Sequence, residues 1–254
     1  MRVLVVFAVD AEFAPWRKLR DFELVRVGMV TLYRTQIGRA SVDFVVSGMG
    51  PENARCVSEL AMSIPHGVCI ASGFAGSLKV SHKVGDILVA QAVRQRGTSK
   101  VIECSEKLYA SGLRQGAAPA NIFLTTDKVV NTAEEKKQLS PSADAVDMES
   151  FTILSIAKEH NLPGVAIRVI TDQIDEAIPP GIDTIVDARG HARPGQIVRY
   201  VAAHPLKLSA LIRLGRRSRI AAASLAKFLE AYIQNVSLDT EGDHPVELVE
   251  ISAT

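Results

Sequence analysis

Short apolar, β-branched runs recur along the chain, at residues 3–9, 42–46, 68–71, 86–90, 122–125 and 165–170. None alternates strictly with polar residues, so the runs suit strands covered on both faces. Segments with helical spacing lie between them. Residues 52–64 place Ala54, Val57, Leu60, Ala61 and Ile64 on one face at i, i+3, i+4 intervals. Residues 148–160 turn Phe151, Leu154, Ile156 and Ala157 inward, and Asn161 with Pro163 supplies a stop. This alternation predicts an α/β domain around a mixed, largely parallel sheet. From Gln196 the chain reads as helical again, in two pieces broken near His204-Pro205, and the last piece, residues 221–233, is amphipathic. Residues 1–237 are expected to form one domain, followed by a polar, mobile tail over residues 238–254.

Turn residues mark three further places. Ser47-Gly48-Met49-Gly50-Pro51 joins a strand to a helix, and Ser72-Gly73-Phe74-Ala75-Gly76-Ser77 reads as a second loop after a strand. Each is either a plain tight turn or a glycine-rich anion or ligand loop. Residues 175–194 hold Pro179, Pro180, Gly181, Gly190 and Pro194, which predicts a long loop or flap over a pocket.

Composition narrows the class. The chain has 254 residues, of which 47% are apolar, enough for one large core. Its 29 Lys and Arg nearly balance 28 Asp and Glu, so no global field draws it to nucleic acid. Cys56, Cys69 and Cys104 have no C-x-x-C spacing and the histidines form no close pair, which speaks against a disulfide framework and against a metal site. Cys69, in an apolar run, is expected in the core. The apolar start is interrupted by Asp10 and Glu12, unlike a signal sequence, and no run reaches the ~18 residues that span a bilayer. The expectation is a cytoplasmic protein.

Four elements fall where ligands sit in an open α/β sheet, beyond the carboxyl ends of the strands. They are Glu12 after the first run, the Gly48–Gly50 and Gly73–Gly76 loops, and Asp172 after the last strand. Asp172 ends an apolar strand, so burial should favour its protonated form, which can hand a proton to a purine N7. A helix N-cap is the plain alternative. Glu149 stands at the front of a helix. Its carboxylate suits a vicinal ribose diol and would steady positive charge on the sugar, whereas the plain alternative is an acid favoured by the helix dipole. Met148 would pack on the sugar or fill a gap in the core. Glu12 would deprotonate a water beneath C1′, or else lie solvated after a strand end. Trp16 reads as packing.

These residues bring a family into view. The chain resembles the nucleoside phosphorylase superfamily, on the branch of methylthioadenosine/S-adenosylhomocysteine nucleosidases. The resemblance rests on Phe7-Ala8-Val9-Asp10-Ala11-Glu12, Ser47-Gly48-Met49-Gly50, Ser72-Gly73-Phe74-Ala75-Gly76, Val84-Gly85-Asp86-Ile87, Val146-Asp147-Met148-Glu149 and Thr171-Asp172. It implies a three-layer α/β/α sandwich around a mixed twisted sheet, with no metal or other cofactor. It implies Glu12 as the water-activating base, Met148 and Glu149 as the ribose contacts and Asp172 as the acid at N7. Val129 and Val130 would flank adenine; Met49, Gly73, Phe74 and Thr171 complete the implied substrate contacts. The implied reaction releases adenine from a 5′-substituted adenosine through an oxocarbenium-like state, in a pocket built partly by a second copy of the chain, so a homodimer is expected.

Phosphorylase relatives need cations for a dianionic phosphate. The matching place before the glycine-rich turn is apolar here, near Ala71, and the early basic motif is replaced by Asp10 and Glu12. Water is therefore the expected nucleophile, with phosphorolysis the alternative should Arg55 or Arg94 reach the site. A nucleoside-binding protein without catalysis is a third reading. There are departures from the branch. Phe74 stands where nucleosidases often place a small hydroxyl residue, and Thr171 replaces a serine. Ile178-Pro179-Pro180 and His204-Pro205-Leu206-Lys207-Leu208 resemble the hopanoid-associated subgroup, linked to removal of adenine from adenosylhopane. Arg199, Lys207, Arg213, Arg216, Arg217 and Arg219 are interleaved with apolar residues, as in a helix resting on an anionic membrane, or in an ordinary surface helix.

Overall fold

The computed structural model describes residues 1–178 and 208–239. The expected break near His204-Pro205, Arg199, Lys207, most of the flap over residues 175–194 and nearly all of the tail lie outside the described residues.

Among the described residues, ten strands form one mixed sheet. They are β1 (Arg2–Phe7), β2 (Glu23–Val27), β3 (Val30–Ile37), β4 (Ala40–Val46), β5 (Val68–Ser77), β6 (Ile87–Gln95), β7 (Val101–Glu103), β8 (Ala118–Thr125), β9 (Ala145–Asp147) and β10 (Gly164–Asp172). The order is β10-β6-β8-β9-β5-β1-β4-β3-β2, with β7 on β6. An additional β10–β5 pairing closes β5, β10, β6, β8 and β9 into a ring, from which β1, β4, β3 and β2 extend. β1 runs parallel to both β4 and β5, and β5 parallel to β10. The buried parallel strands are those the continuous apolar runs predict. The antiparallel β2–β3 hairpin was not predicted, because its residues are half polar and one side faces solvent.

Seven helices complete the described residues: α1 (Asp10–Phe13), α2 (Trp16–Leu19), α3 (Pro51–Ala61), α4 (Glu106–Arg114), α5 (Ala133–Leu139), α6 (Ser150–Glu159) and α7 (Leu208–Asp239). Alternate residues of one strand feed two different cores. Leu4 and Val6 join α3 and α6 through Ala54, Ala61, Ile153 and Ile156 on one face. Val3, Val5 and Phe7 join Phe13, Trp16, Leu108 and the Leu225–Ile233 stretch of α7 on the other. Helices on both faces of the sheet give the three-layer sandwich. Trp16 and Cys69 are fully buried, as expected.

The segment Ser72–Ser77 is not a loop. It is the second half of β5, paired along one edge with β10 and at Gly76 and Ser77 with β9. Its glycines answer to close approach rather than to a turn. At Gly73, with φ +139°, a Cβ would lie 2.6 Å from the Glu12 carboxyl carbon and 2.7 Å from an Arg168 nitrogen. At Gly76 a Cβ would lie 2.9 Å from Asp172 Oδ2. The bare backbone of β5 is thus the floor against which the buried side chains of Glu12, Arg168 and Asp172 rest.

Candidate active site

Glu12 leaves the end of β1 in the single turn α1, and the turn folds its carboxylate back onto backbone donors. Oε2 accepts from the amides of Ala8 (2.8 Å) and Val9 (2.9 Å), and Oε1 from the amide of Phe74 (2.7 Å). Glu12 is 2% exposed, not solvated. Burial pushes its pKa up; Arg168 and the three amides pull against that shift.

Glu149 follows β9 and occupies the N-cap position of α6, but its side chain does not cap the helix. Oε1 accepts instead from the amide of Gly50, 2.8 Å away, in the turn where Gly50 (φ +89°) and Pro51 begin α3. This bond ties the Gly48–Gly50 turn to the helix that carries Glu149. Burial raises the Glu149 pKa to about 8; Arg168 opposes the shift, and Asp147 and Glu12 add to it.

Arg168 is the residue that pattern reading missed. In β10 it points to the same face as Ala166 and Ile170, where an apolar side chain would be expected, and it is fully buried. Its Nε and Nη2 donate to Ser150 Oγ at 3.1 and 2.9 Å, and Nη1 donates to the carbonyl of Ser72 at 3.1 Å. Asp147 Oδ2 lies 2.9 Å from Nε, an ion pair without hydrogen-bond alignment, and Glu149 Oε2 lies 3.9 Å from Nη2. Asp147 is itself anchored by the Thr125 hydroxyl at 2.7 Å. A lone basic residue in an apolar strand was the available signal.

Asp172, the last residue of β10, caps no helix. The Thr171 hydroxyl donates to its Oδ1 at 2.8 Å, and the buried ammonium of Lys136, from α5, donates to Oδ2. Burial pushes the Asp172 carboxyl up, and Lys136 holds it back from rising further. Lys136 was also missed, because Glu134-Glu135-Lys136-Lys137 reads as a solvated charge run.

These elements enclose a cavity of about 280 Å³. Glu12, Met49, Phe74, Val129, Val130, Met148, Glu149, Thr171 and Asp172 all line it, while Gly73 lies behind the Glu12 carboxylate. Val9, Ala11, Val146, Ile178 and Leu214 make the remaining wall largely apolar. Acids therefore stand at separate places in a greasy chamber. Such a chamber can protonate a leaving base, hold hydroxyl groups and take a proton from water. No Lys or Arg lines the cavity among the described residues. Arg55 pairs with Glu59 on the exposed face of α3, and Arg94 donates to the carbonyl of Ser142 at 2.8 Å. Neither reaches the chamber. Among the described residues no group of three or more His, Cys, Asp or Glu could hold a metal ion, and no helix is long and apolar enough to cross a membrane.

A family model described as the phosphorylase superfamily matches residues 2–194. Solved structures share the fold at low identity. The native futalosine hydrolase of Helicobacter pylori strain 26695 is 20% identical, with a TM-score of 0.71 over 92% of this chain and 98% of that one. The 5′-methylthioadenosine/S-adenosylhomocysteine nucleosidase of Neisseria meningitidis, in complex with methylthio-immucillin-A, is 20% identical, with a TM-score of 0.71 over 92% and 99%. The corresponding nucleosidase of S. pneumoniae, with a transition-state inhibitor, is 19% identical, with a TM-score of 0.72 over 93% and 100%.

Proposed function

The chain belongs to the phosphorylase superfamily, and from that premise we propose that it is a purine nucleosidase that releases adenine from a 5′-substituted adenosine with water as the nucleophile. The observation that carries the reading is the placement of Glu12, Glu149 and Asp172 around one cavity. In the proposed reaction the C1′–N9 bond breaks and its electrons pass to the purine, whose N7 takes a proton from Asp172. Glu149 accepts hydrogen bonds from the ribose hydroxyls and, in its ionised form, steadies the charge growing on the sugar. Met148 packs on the sugar, and Val129 and Val130 flank the base. Water adds to C1′ and gives its proton to Glu12, so one turnover leaves Glu12 protonated and Asp172 ionised, and solvent resets both.

Two observations support water over phosphate. A dianion in an apolar chamber needs cationic donors, and no Lys or Arg lines the cavity among the described residues. The acids there would repel phosphate. The apolar wall of Val9, Met49, Ile178 and Leu214 favours a 5′ group without charge. A thioether group fits that chemistry, and so does the hydrocarbon of an adenosylhopane-like nucleoside. No cofactor takes part in this reading.

The reading includes a homodimer, and it includes a peripheral membrane contact by α7, whose Leu214 and Ser218 line the cavity. On that helix Ile212 and Ile220 are exposed beside Arg213, Arg216 and Arg219. Cosedimentation with anionic liposomes at low salt tests the contact; no binding there removes it. The cytoplasm is the proposed compartment. Turnover in ¹⁸O-labelled water tests the chemistry. Label in the free pentose supports hydrolysis, whereas an unlabelled sugar 1-phosphate overturns it.

A further inference from the structure

Lys136 is fully buried on α5, and three oxygens surround its Nζ. One belongs to the Asp172 carboxylate, and the others are the carbonyls of Gln173, at 2.9 Å, and Glu176, at 2.8 Å. Three acceptors need three N–H donors, and a lysine offers three only as the ammonium. The cation is therefore built into the site. The two carbonyls belong to the chain just after β10, so the same ammonium that meets the acid also fixes the turn carrying it.

We propose, resting on the nucleosidase reading, that Lys136 is a positioning residue for the base-side acid, fixing both the orientation of Asp172 and the pH range over which it holds the proton for the leaving base. The other groups around Asp172 are few among the described residues. Thr171 donates to Oδ1. Glu176, from the following turn, adds negative charge, but Arg217 of α7 holds its carboxylate at 2.6 Å, and Arg213 of α7 adds positive charge near it. β5 contributes only bare backbone at Gly76. Asp147 and Glu149 pair with Arg168, and the same guanidinium acts on Glu12. Among the described residues, Lys136 is thus the cation in direct contact with the acid.

The sign follows from that contact. An adjacent cation favours the carboxylate, so Lys136 lowers the pH at which Asp172 gives up its proton. If turnover needs protonated Asp172, activity falls on the alkaline side as that proton is lost. Removing the cation moves the alkaline limb upward. The arrangement trades alkaline range for a fixed acid: without Lys136 the carboxyl would keep its proton longer but lose the partner that aims it.

The test is the pH profile of kcat for wild type, Lys136→Met, Lys136→Gln and Lys136→Arg, with folding followed by circular dichroism. Gln keeps amide donors for the two carbonyls while removing the charge, so it guards against a Met variant that fails to fold. Met and Gln are expected to move the alkaline limb up by about one to three pH units and to lower the plateau; Arg is expected to keep the limb near its wild-type position. Should the neutral variants lack turnover, the pH dependence of adenine binding reads the same group. A folded neutral variant whose alkaline limb, or adenine-binding transition, stays at the wild-type pH overturns the proposal. Wild type that cleaves no nucleoside overturns the nucleosidase reading instead, and the two failures are distinct.

Discussion

Arg168 Nε lies 2.9 Å from Asp147 Oδ2, at the centre of a group of buried acids that also includes Glu12 and Glu149. A buried cation among more than one carboxylate cannot neutralise them all, so part of the group is driven toward its protonated form. That imbalance makes the site able to accept and give protons near neutral pH. Arg168→Met should destabilise the fold by about 3–5 kcal/mol, the scale of leaving buried charge without a partner. Arg168→Lys should not restore it, because the fork that serves Ser150 and Ser72 together is lost. Urea denaturation of both variants checks this; a midpoint unchanged in Met would show that the acids are neutral without it.

Asp172→Asn should lower kcat at least ~100-fold, the scale of losing a general acid. Amide and carboxyl are the same size; the Asn oxygen can accept from Lys136 while its NH2 donates to the Thr171 hydroxyl, so the fold should survive. Near wild-type turnover would take Asp172 out of the mechanism.

Glu149→Gln should lower the rate and weaken the preference for ribosides over 2′- and 3′-deoxyribosides. It should also change the pH dependence of stability. The Glu149 pKa rises on folding to about 8 from an ordinary 4.5. Between those values the folded state binds more protons than the unfolded state, so stability falls as pH rises through that window. Full benefit is present below pH ~4.5 and is lost by pH ~8. Glu149→Gln should flatten this slope. Chemical denaturation at pH 5 and pH 8 measures it, and an equal slope in wild type and variant would show that Glu149 does not titrate there.

Gly73→Ala should cost about 1–3 kcal/mol from the left-handed backbone alone, since φ is +139°. The added methyl also strikes the Glu12 carboxyl and Arg168, so kcat should fall by more than the loss of folded protein explains. Activity per folded molecule equal to wild type would mean that Glu12 is not held where the reaction needs it.

The sequence made the framework legible where burial is two-sided. The apolar runs lie in β1, β4, β5, β6, β8 and β10, and the spaced apolar residues lie in α3 and α6. The lining acids were legible for a different reason: Glu12, Glu149 and Asp172 stand at the ends of those same elements, where a charged residue breaks an apolar pattern. Legibility ended where long-range approach decides the conformation. Gly73 and Gly76 read as a turn because turns and close approach use the same residue, and only the positions of Glu12, Arg168 and Asp172 tell the two apart. Lys136 and Arg168 escaped for a shared physical reason. A buried cation is recognised by its partners, and those partners lie far away in sequence.

In the proposed reaction water, not phosphate, takes the sugar. The most direct measurement is adenine release from methylthioadenosine, S-adenosylhomocysteine and adenosine, in phosphate-free buffer and again with phosphate added. Release at the same rate in both buffers is the predicted result, with a 5′-substituted nucleoside preferred. Release that requires phosphate would contradict it.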